Sequence, residues 1–245
     1  MPHEATLREE LVRGCQVLWA TRAAGDGLAG HLSARLDGDR ILIKPRPASW
    51  KSLTAADLIV IDHQGRRLDG PASERSEVRE WPIHATIYRQ RPDVASVMHA
   101  HPVASTLLAA LGIAVEPLDQ DCANFTDQLP VLDNCAVSIA TPALGDDVAR
   151  ALGEARALLL KNHGSIVAGG SVAEVCVTAY RLEKVAETML RAAAIAPLPL
   201  ISAERKAALL AARKAAQPAR PESSHEERWQ MLQDYFLRTH STTDL

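Results

Sequence analysis

With 245 residues, 47% of them hydrophobic and 23% charged, the chain has the balance of a folded globular protein and enough length for one sizeable core. A formal charge of −3 leaves no basic footprint, so nucleic acid is not the expected partner. No apolar run reaches the roughly 18 to 20 residues of a bilayer-spanning helix, and the start MPHEATLREE is charged where a signal peptide is apolar, so no membrane association is expected and the expected compartment is the cytoplasm.

The first element is an amphipathic helix: Leu7, Leu11, Cys15, Leu18 and Trp19 recur at helical spacing before the chain stops at glycines. Two β-branched runs, DRILIK and DLIVID, follow as buried strands. Helical periodicity returns from Ser76 to Arg91, with Pro82 near the first turn, and VASVMHA (94–100) reads as a strand. Pro102 opens a short helix that closes at Gly112. Beyond it, AVSIA (136–140) is predicted as a strand, GDDVARALGEA as a helix, and ALLLKN as a strand running into His163-Gly164. A long helix over 171–194, an Ala-rich helix over 202–216, a Pro-bearing linker and a last helix from His225 complete the chain. Strands interleaved with helices, some too short to cross between parallel strands, predict an α/β fold with a mixed, mainly antiparallel sheet flanked by helices. Neither GxGxxG after the first strand nor GxxxxGK[ST] is present, so no dinucleotide or P-loop site is expected. Cys15, Cys122, Cys135 and Cys176 form no CxxC pair and read as reduced, buried thiols.

The chemistry is concentrated in VMHAHPV. Side chains at i and i+2 of a strand project to one face, so His99 and His101 present two imidazoles from a rigid support, half of a metal site. His163, ending another apolar strand, is the candidate third ligand, and Gly164 behind it lets the backbone turn sharply or approach a neighbour closely. Three imidazoles with one open position suit a catalytic divalent metal, zinc first, with manganese, iron or cobalt as alternatives. Glu80 and His84 stand at i and i+4 of the predicted helix, so Glu80 is the candidate acid/base; beside a cation its carboxylate stays ionised, whereas burial against Trp81 and Ile83 acts to raise its pKa. A solvated helix face carrying Glu77, Arg79 and Glu80 is the competing reading.

Together, GHLSAR (30–35), IKPRPASWKSLTAADLIVID (43–62), EWPIHATIYRQRPDVASVMHAHP (80–102) and LLLKNHG (158–164) resemble the class II aldolase/adducin family over about residues 7 to 190. The resemblance implies a three-layer α/β/α class II aldolase-like fold with a central, mainly antiparallel mixed sheet. The chain reads as one domain, with residues 1–217 the class II aldolase-like domain and 218–245 a linker and C-terminal helix that are part of it. The resemblance further implies a metal held by His99, His101 and His163, Glu80 as acid/base, and a homotetramer with active sites at subunit interfaces. In such an assembly an aromatic of the C-terminal region reaches the neighbour's site, with Trp229 and Tyr235 as the available residues; plain core packing is the alternative for both.

A dipositive ion gripping two oxygens of a hydroxy-carbonyl or keto-acid group stabilises the enolate left when a carbon–carbon bond breaks, and Glu80 moves the proton. The leaving fragment is an aldehyde in retro-aldol cleavage and carbon dioxide in decarboxylation. The sugar-phosphate members of the family cradle phosphate with small donors, where this chain has Gly30-His31, Arg46-Pro47 and Val78-Arg79. PASE (71–74) is one way to restore such a donor. Lys44, Arg46 and Arg79 are cations suited to a carboxylate, and His31 and Ser33 lie in a GHLS step similar to that of decarboxylase members. The expected substrate is therefore a small carboxylate or hydroxy-carbonyl compound, with the balance toward a carboxylated, non-phosphorylated one, a hydroxy/keto or aromatic carboxylic acid that is decarboxylated on a divalent metal. Asp121 is a further candidate acid/base, with turn capping by Asp119 or Asp121 as its alternative. The other readings are a sugar-phosphate aldolase or epimerase, a non-haem iron oxygenase and an adducin-like interaction module.

Overall fold

The computed structural model describes residues 4–46, 48–71, 78–133, 137–198, 201–216 and 223–239. Helix α1 (Glu4–Ala20) precedes strands β1 (His31–Arg35), β2 (Arg40–Ile43), β3 (Ile59–Asp62) and β4 (Arg67–Asp69). Then come α2 (Trp81–Gln90), β5 (Ser96–Ala100), α3 (Val103–Ala110), β6 (Val131–Leu132), α4 (Pro142–Leu152), β7 (Ala157–Leu160) and β8 (Gly164–Gly169). The chain ends with α5 (Val172–Ile195), α6 (Ala203–Ala216) and α7 (Ser223–Thr239).

The eight strands form one sheet in the order β4-β3-β2-β1-β5-β8-β7-β6, antiparallel throughout except for the parallel β6–β7 pair. Both faces are covered, which is why the strands read as nearly continuous apolar runs. Leu42, Val60, Met98 and Val167 face one core with α1, α3, α5 and α7; Ile41, Ile61, Val97 and Ile166 face another with α2 and α4. The three-layer α/β/α arrangement with a mainly antiparallel mixed sheet is thus present. No helix among the described residues is long and apolar enough to cross a membrane.

Three local readings are corrected. Residues Val137–Ala140 form no strand; a five-residue alternation mimics one, but the backbone turns back on itself, Ala140 N–H donating to the Ser138 carbonyl at 2.9 Å. Helix α2 begins at Trp81, so Glu80 stands at its N-cap position rather than one turn inside it, while 76–77 lie outside the described residues. Lastly, β7 and β8 form a hairpin whose turn contains Asn162 at φ +59° and His163, whose N–H donates to the Leu160 carbonyl at 3.0 Å. The proline-bearing stretch 217–222 and Cys135 lie outside the described residues.

Candidate metal and active site

The site lies where β5 runs out. β1 and β8 flank β5, placing His31 directly opposite His99 on one side and Ile166 on the other. Three glycines press against this strand end. A Cβ on Gly30 would meet the His99 carbonyl oxygen at 2.5 Å, one on Gly164 the Ala100 carbonyl oxygen at 2.4 Å, and one on Gly25 the His101 carbonyl oxygen at 2.4 Å. Only a residue without a side chain permits these approaches, and Gly25 and Gly30 also adopt positive φ.

Within this frame the imidazoles of His99, His101 and His163 converge, their ring centroids 4.9 to 5.0 Å apart. Together with one Glu80 oxygen, their nearest donor atoms all lie within 4.8 Å of one another. Nε2 of His101 is 3.2 Å from Nε2 of His99, and Glu80 approaches His99 Nε2 at 3.2 Å and His163 Nε2 at 3.6 Å. His99 Nδ1 faces the Ser165 carbonyl at 3.1 Å, a contact that fixes a proton on Nδ1 and leaves Nε2 aimed at the cluster. A proton or a cation can occupy the space between these atoms. Burial, reinforced by the neighbouring His99, pushes His101 and His163 down to about 4, so both are neutral lone-pair donors near pH 7. Three convergent imidazole nitrogens beside a carboxylate fit a divalent cation.

Of the two expectations for Glu80, the ionised carboxylate agrees with the structure and the raised pKa does not. Burial pushes its carboxyl up, but the hydrogen bond and charge of His99 and the Ile139 N–H outweigh burial and hold it well below the usual range. Its Oε1 accepts from Ser138 Oγ and from Ile139 N–H, both at 2.9 Å. The segment predicted as a strand is therefore the clamp on the carboxylate, and Ser138 is a site residue that sequence reasoning missed. An isolated serine in an apolar run carries no signal of its own.

His31, Arg46, Arg79, Glu80, Ser138, His101 and His163 line a cavity of about 230 Å³. His31 Nδ1 faces the Lys44 carbonyl at 3.0 Å, and burial pushes the ring down to about 3. Other predicted residues lie elsewhere. Ser33 is fully buried beneath the site, its hydroxyl 2.7 Å from both His84 Nδ1 and Tyr88 Oη, and Lys44 sends its ammonium into the α1-side core over the Trp50 ring at 5.1 Å. Neither is on the cavity wall, since Ser33 and Lys44 point to opposite faces of the sheet and each is covered there. His84, one turn beyond Glu80, is likewise held in the Ser33 network. Asp121 pairs with Arg181 of α5 at 3.4 Å, away from the cavity lining, and Asp119 caps that turn by accepting from Cys122 N–H at 2.7 Å. Trp229 packs in the core, whereas Tyr235 is 63% exposed on α7.

The chain belongs to the class II aldolase and adducin family: residues 9–190 match the Class II Aldolase and Adducin N-terminal domain. A 3,4-dihydroxyphthalate decarboxylase of Terrabacter sp. (strain DBF63) is 33% identical over 199 residues, covering 78% of this chain and 82% of that one. The L-fuculose phosphate aldolase of Escherichia coli (strain K12) is 30% identical over 190 residues, covering 75% and 83%. In fold, an aldolase II superfamily protein from Pseudomonas syringae superposes with a TM-score of 0.84 at 22% identity, over 98% of this chain and 95% of the other. This protein is an enzyme, a lyase of a divalent-metal-dependent family.

Proposed function

We propose that the protein cleaves a carbon–carbon bond next to an oxygenated carbon by decarboxylating a small hydroxy, keto or aromatic carboxylic acid. The observation that carries this reading is the cavity wall: Arg46, Arg79 and His31 stand beside the histidine cluster, where a carboxylate can be gripped. The decarboxylase relative supports it from an independent direction.

His99, His101 and His163 would hold the metal, with zinc the first choice for three imidazoles and manganese, iron or cobalt next. A divalent cation there supplies Lewis-acid stabilisation of the negative charge that develops on the substrate oxygen. The remaining steps belong to side chains of this chain. Arg46 and Arg79 orient a substrate carboxylate, and the buried, neutral His31 offers a hydrogen-bonding ring nitrogen on the same wall. With a hydroxylated acid as substrate, Glu80, ionised and clamped by Ser138 and Ile139, accepts the proton of the substrate hydroxyl on binding. When the carbon–carboxylate bond breaks, its electron pair stays on the substrate carbon, carbon dioxide leaves, and Glu80 returns the proton to that carbon. In a homotetramer, Tyr235 on the exposed side of α7 would be the residue reaching a neighbouring site. The described cysteines, all free and buried, fit a reduced cytoplasmic setting.

The aldolase relative favours a second reading, cleavage of a phosphorylated ketose on the same metal. One experiment separates the two: metal-loaded protein is offered hydroxylated aromatic carboxylates and ketose phosphates in parallel. Carbon dioxide release from the former is the expected result, and turnover confined to the latter refutes the proposal.

A further inference from the structure

His163 lies in the β7–β8 turn, and His101 too lies beyond the end of its strand: β5 stops at Ala100, the last residue in register with β8. Its ring also lacks the anchor that His99 has. Among the described residues no carbonyl or carboxylate takes a proton from Nδ1 of His101, whereas His99 Nδ1 is tied to Ser165. The position of the His101 ring is therefore set by its backbone, and that backbone runs through Pro102 directly into α3.

The first turn of α3 has an unusual cap. Pro102, at its N-cap, offers no side-chain acceptor, and the first N–H groups of any helix lack partners within it. Here the acceptors come from α5, nearly 80 positions along the chain. Glu183, only 5% exposed, accepts from Ala104 N–H at 2.8 Å through one oxygen and from Ser105 N–H at 2.9 Å through the other. A carboxylate at a helix N-terminus meets both the orphan donors and the positive end of the helix dipole. Both of its oxygens are spent on α3, which pins the start of that helix to the long helix behind it.

We infer that Glu183 is a positioning residue for the metal site: by capping α3 from α5 it fixes the backbone at His101-Pro102 and so holds the His101 imidazole in reach of the ion shared with His99 and His163. Glu183 touches neither the cavity wall nor the histidines, so it acts through the helix start alone. A change of Glu183 to glutamine keeps shape and volume but sets an amide NH2 against one of the two backbone N–H groups. That end of α3 must then move or lose a hydrogen bond, and His101 moves with it.

The inference rests on the metal reading above, and the test keeps the two apart. Cobalt(II) is titrated into metal-free wild type, Glu183→Gln, Glu183→Asp and Met189→Ala, recording affinity, the visible absorption spectrum and the melting temperature. Met189 is a buried core residue of α5 nearly two turns beyond Glu183, so its truncation reports a loss of packing that leaves the hydrogen bonds from Ala104 and Ser105 to Glu183 intact. Expected is a wild-type spectrum of a nitrogen-ligated site. Glu183→Gln weakens cobalt binding by about 10- to 100-fold, the range for partners that orient metal ligands, and alters the band intensities. Glu183→Asp, which retains two acceptor oxygens, recovers part of both, and Met189→Ala lowers the melting temperature with an unchanged spectrum. If wild type binds cobalt and folded Glu183→Gln binds it identically, the inference is overturned while the metal site stands. Should Glu183→Gln not fold, the Glu183→Asp spectrum decides, an unchanged one overturning the inference. A wild type that binds no cobalt overturns both.

Discussion

Gly164→Ala tests whether the site depends on the close approach of the β7–β8 hairpin to the end of β5. The added Cβ would lie 2.4 Å from the Ala100 carbonyl oxygen and 2.7 Å from Cδ2 of His101, against an ordinary contact beginning near 3.4 Å. The hairpin must therefore withdraw from β5 by roughly 1 Å at the Leu160–Gly164 pair, carrying His163 away from His99 and His101. Overpacking of this kind costs about 1 to 3 kcal/mol. In a chain of this size that is a fall in melting temperature of about 2 to 12 °C. The functional loss should be larger, since a displacement of about 1 Å at a reacting centre costs about 100-fold in rate. Calorimetric melting, chelator-competition titration of zinc and turnover under one buffer condition provide the check. A Gly164→Ala protein with wild-type zinc affinity and turnover would refute the reasoning, because no arrangement of the present backbone accommodates that methyl group without moving the histidines.

Ser138→Ala removes one of two donors to Glu80 Oε1 and should reduce kcat about 10-fold while lowering the melting temperature by about 1 to 6 °C, measured by steady-state kinetics and thermal melts. Arg79→Ala or Arg46→Ala, each losing a charge-assisted contact to the substrate carboxylate, should raise KM by about 10- to 100-fold with a smaller change in kcat; a lowered kcat at unchanged KM would place the arginine in the chemical step instead. Lys44 gives a pH signature in stability. Burial lowers its pKa to about 8 from 10.5, so below pH 8 the folded protein bears the full cost of a buried ammonium, and that cost is relieved as pH rises through 8 towards 10.5. Lys44→Met should therefore be more stable than wild type at pH 7, by up to about 3 kcal/mol, with the gap closing at pH 10; urea unfolding at both values measures it, and a gap that widens with pH contradicts the assignment.

Much of this site can be read along the chain because its rules are local. Two residues apart on a strand means one face, so His99 and His101 had to project together, and the helical spacing of Leu7, Leu11 and Leu18 or of Val175, Leu182 and Met189 marks the faces that reach the core. The glycine after His163 signals a close approach for the same reason, the absence of a Cβ, though not which backbone it approaches. What only the tertiary structure decided is the set of partners across the sheet. GHLSAR occupies the strand between β2 and β5, so the alternation that brings His31 to the cavity carries Ser33 beneath it and turns Lys44 into the opposite core. The loop at Ser138 and Ile139 became the clamp on Glu80, and Glu183 the cap of α3, through contacts 58, 59, 78 and 79 residues apart in sequence. Hydrogen bonds of that range depend on how sheet and helices stack, and periodicity within a segment holds no information about the segment it will meet.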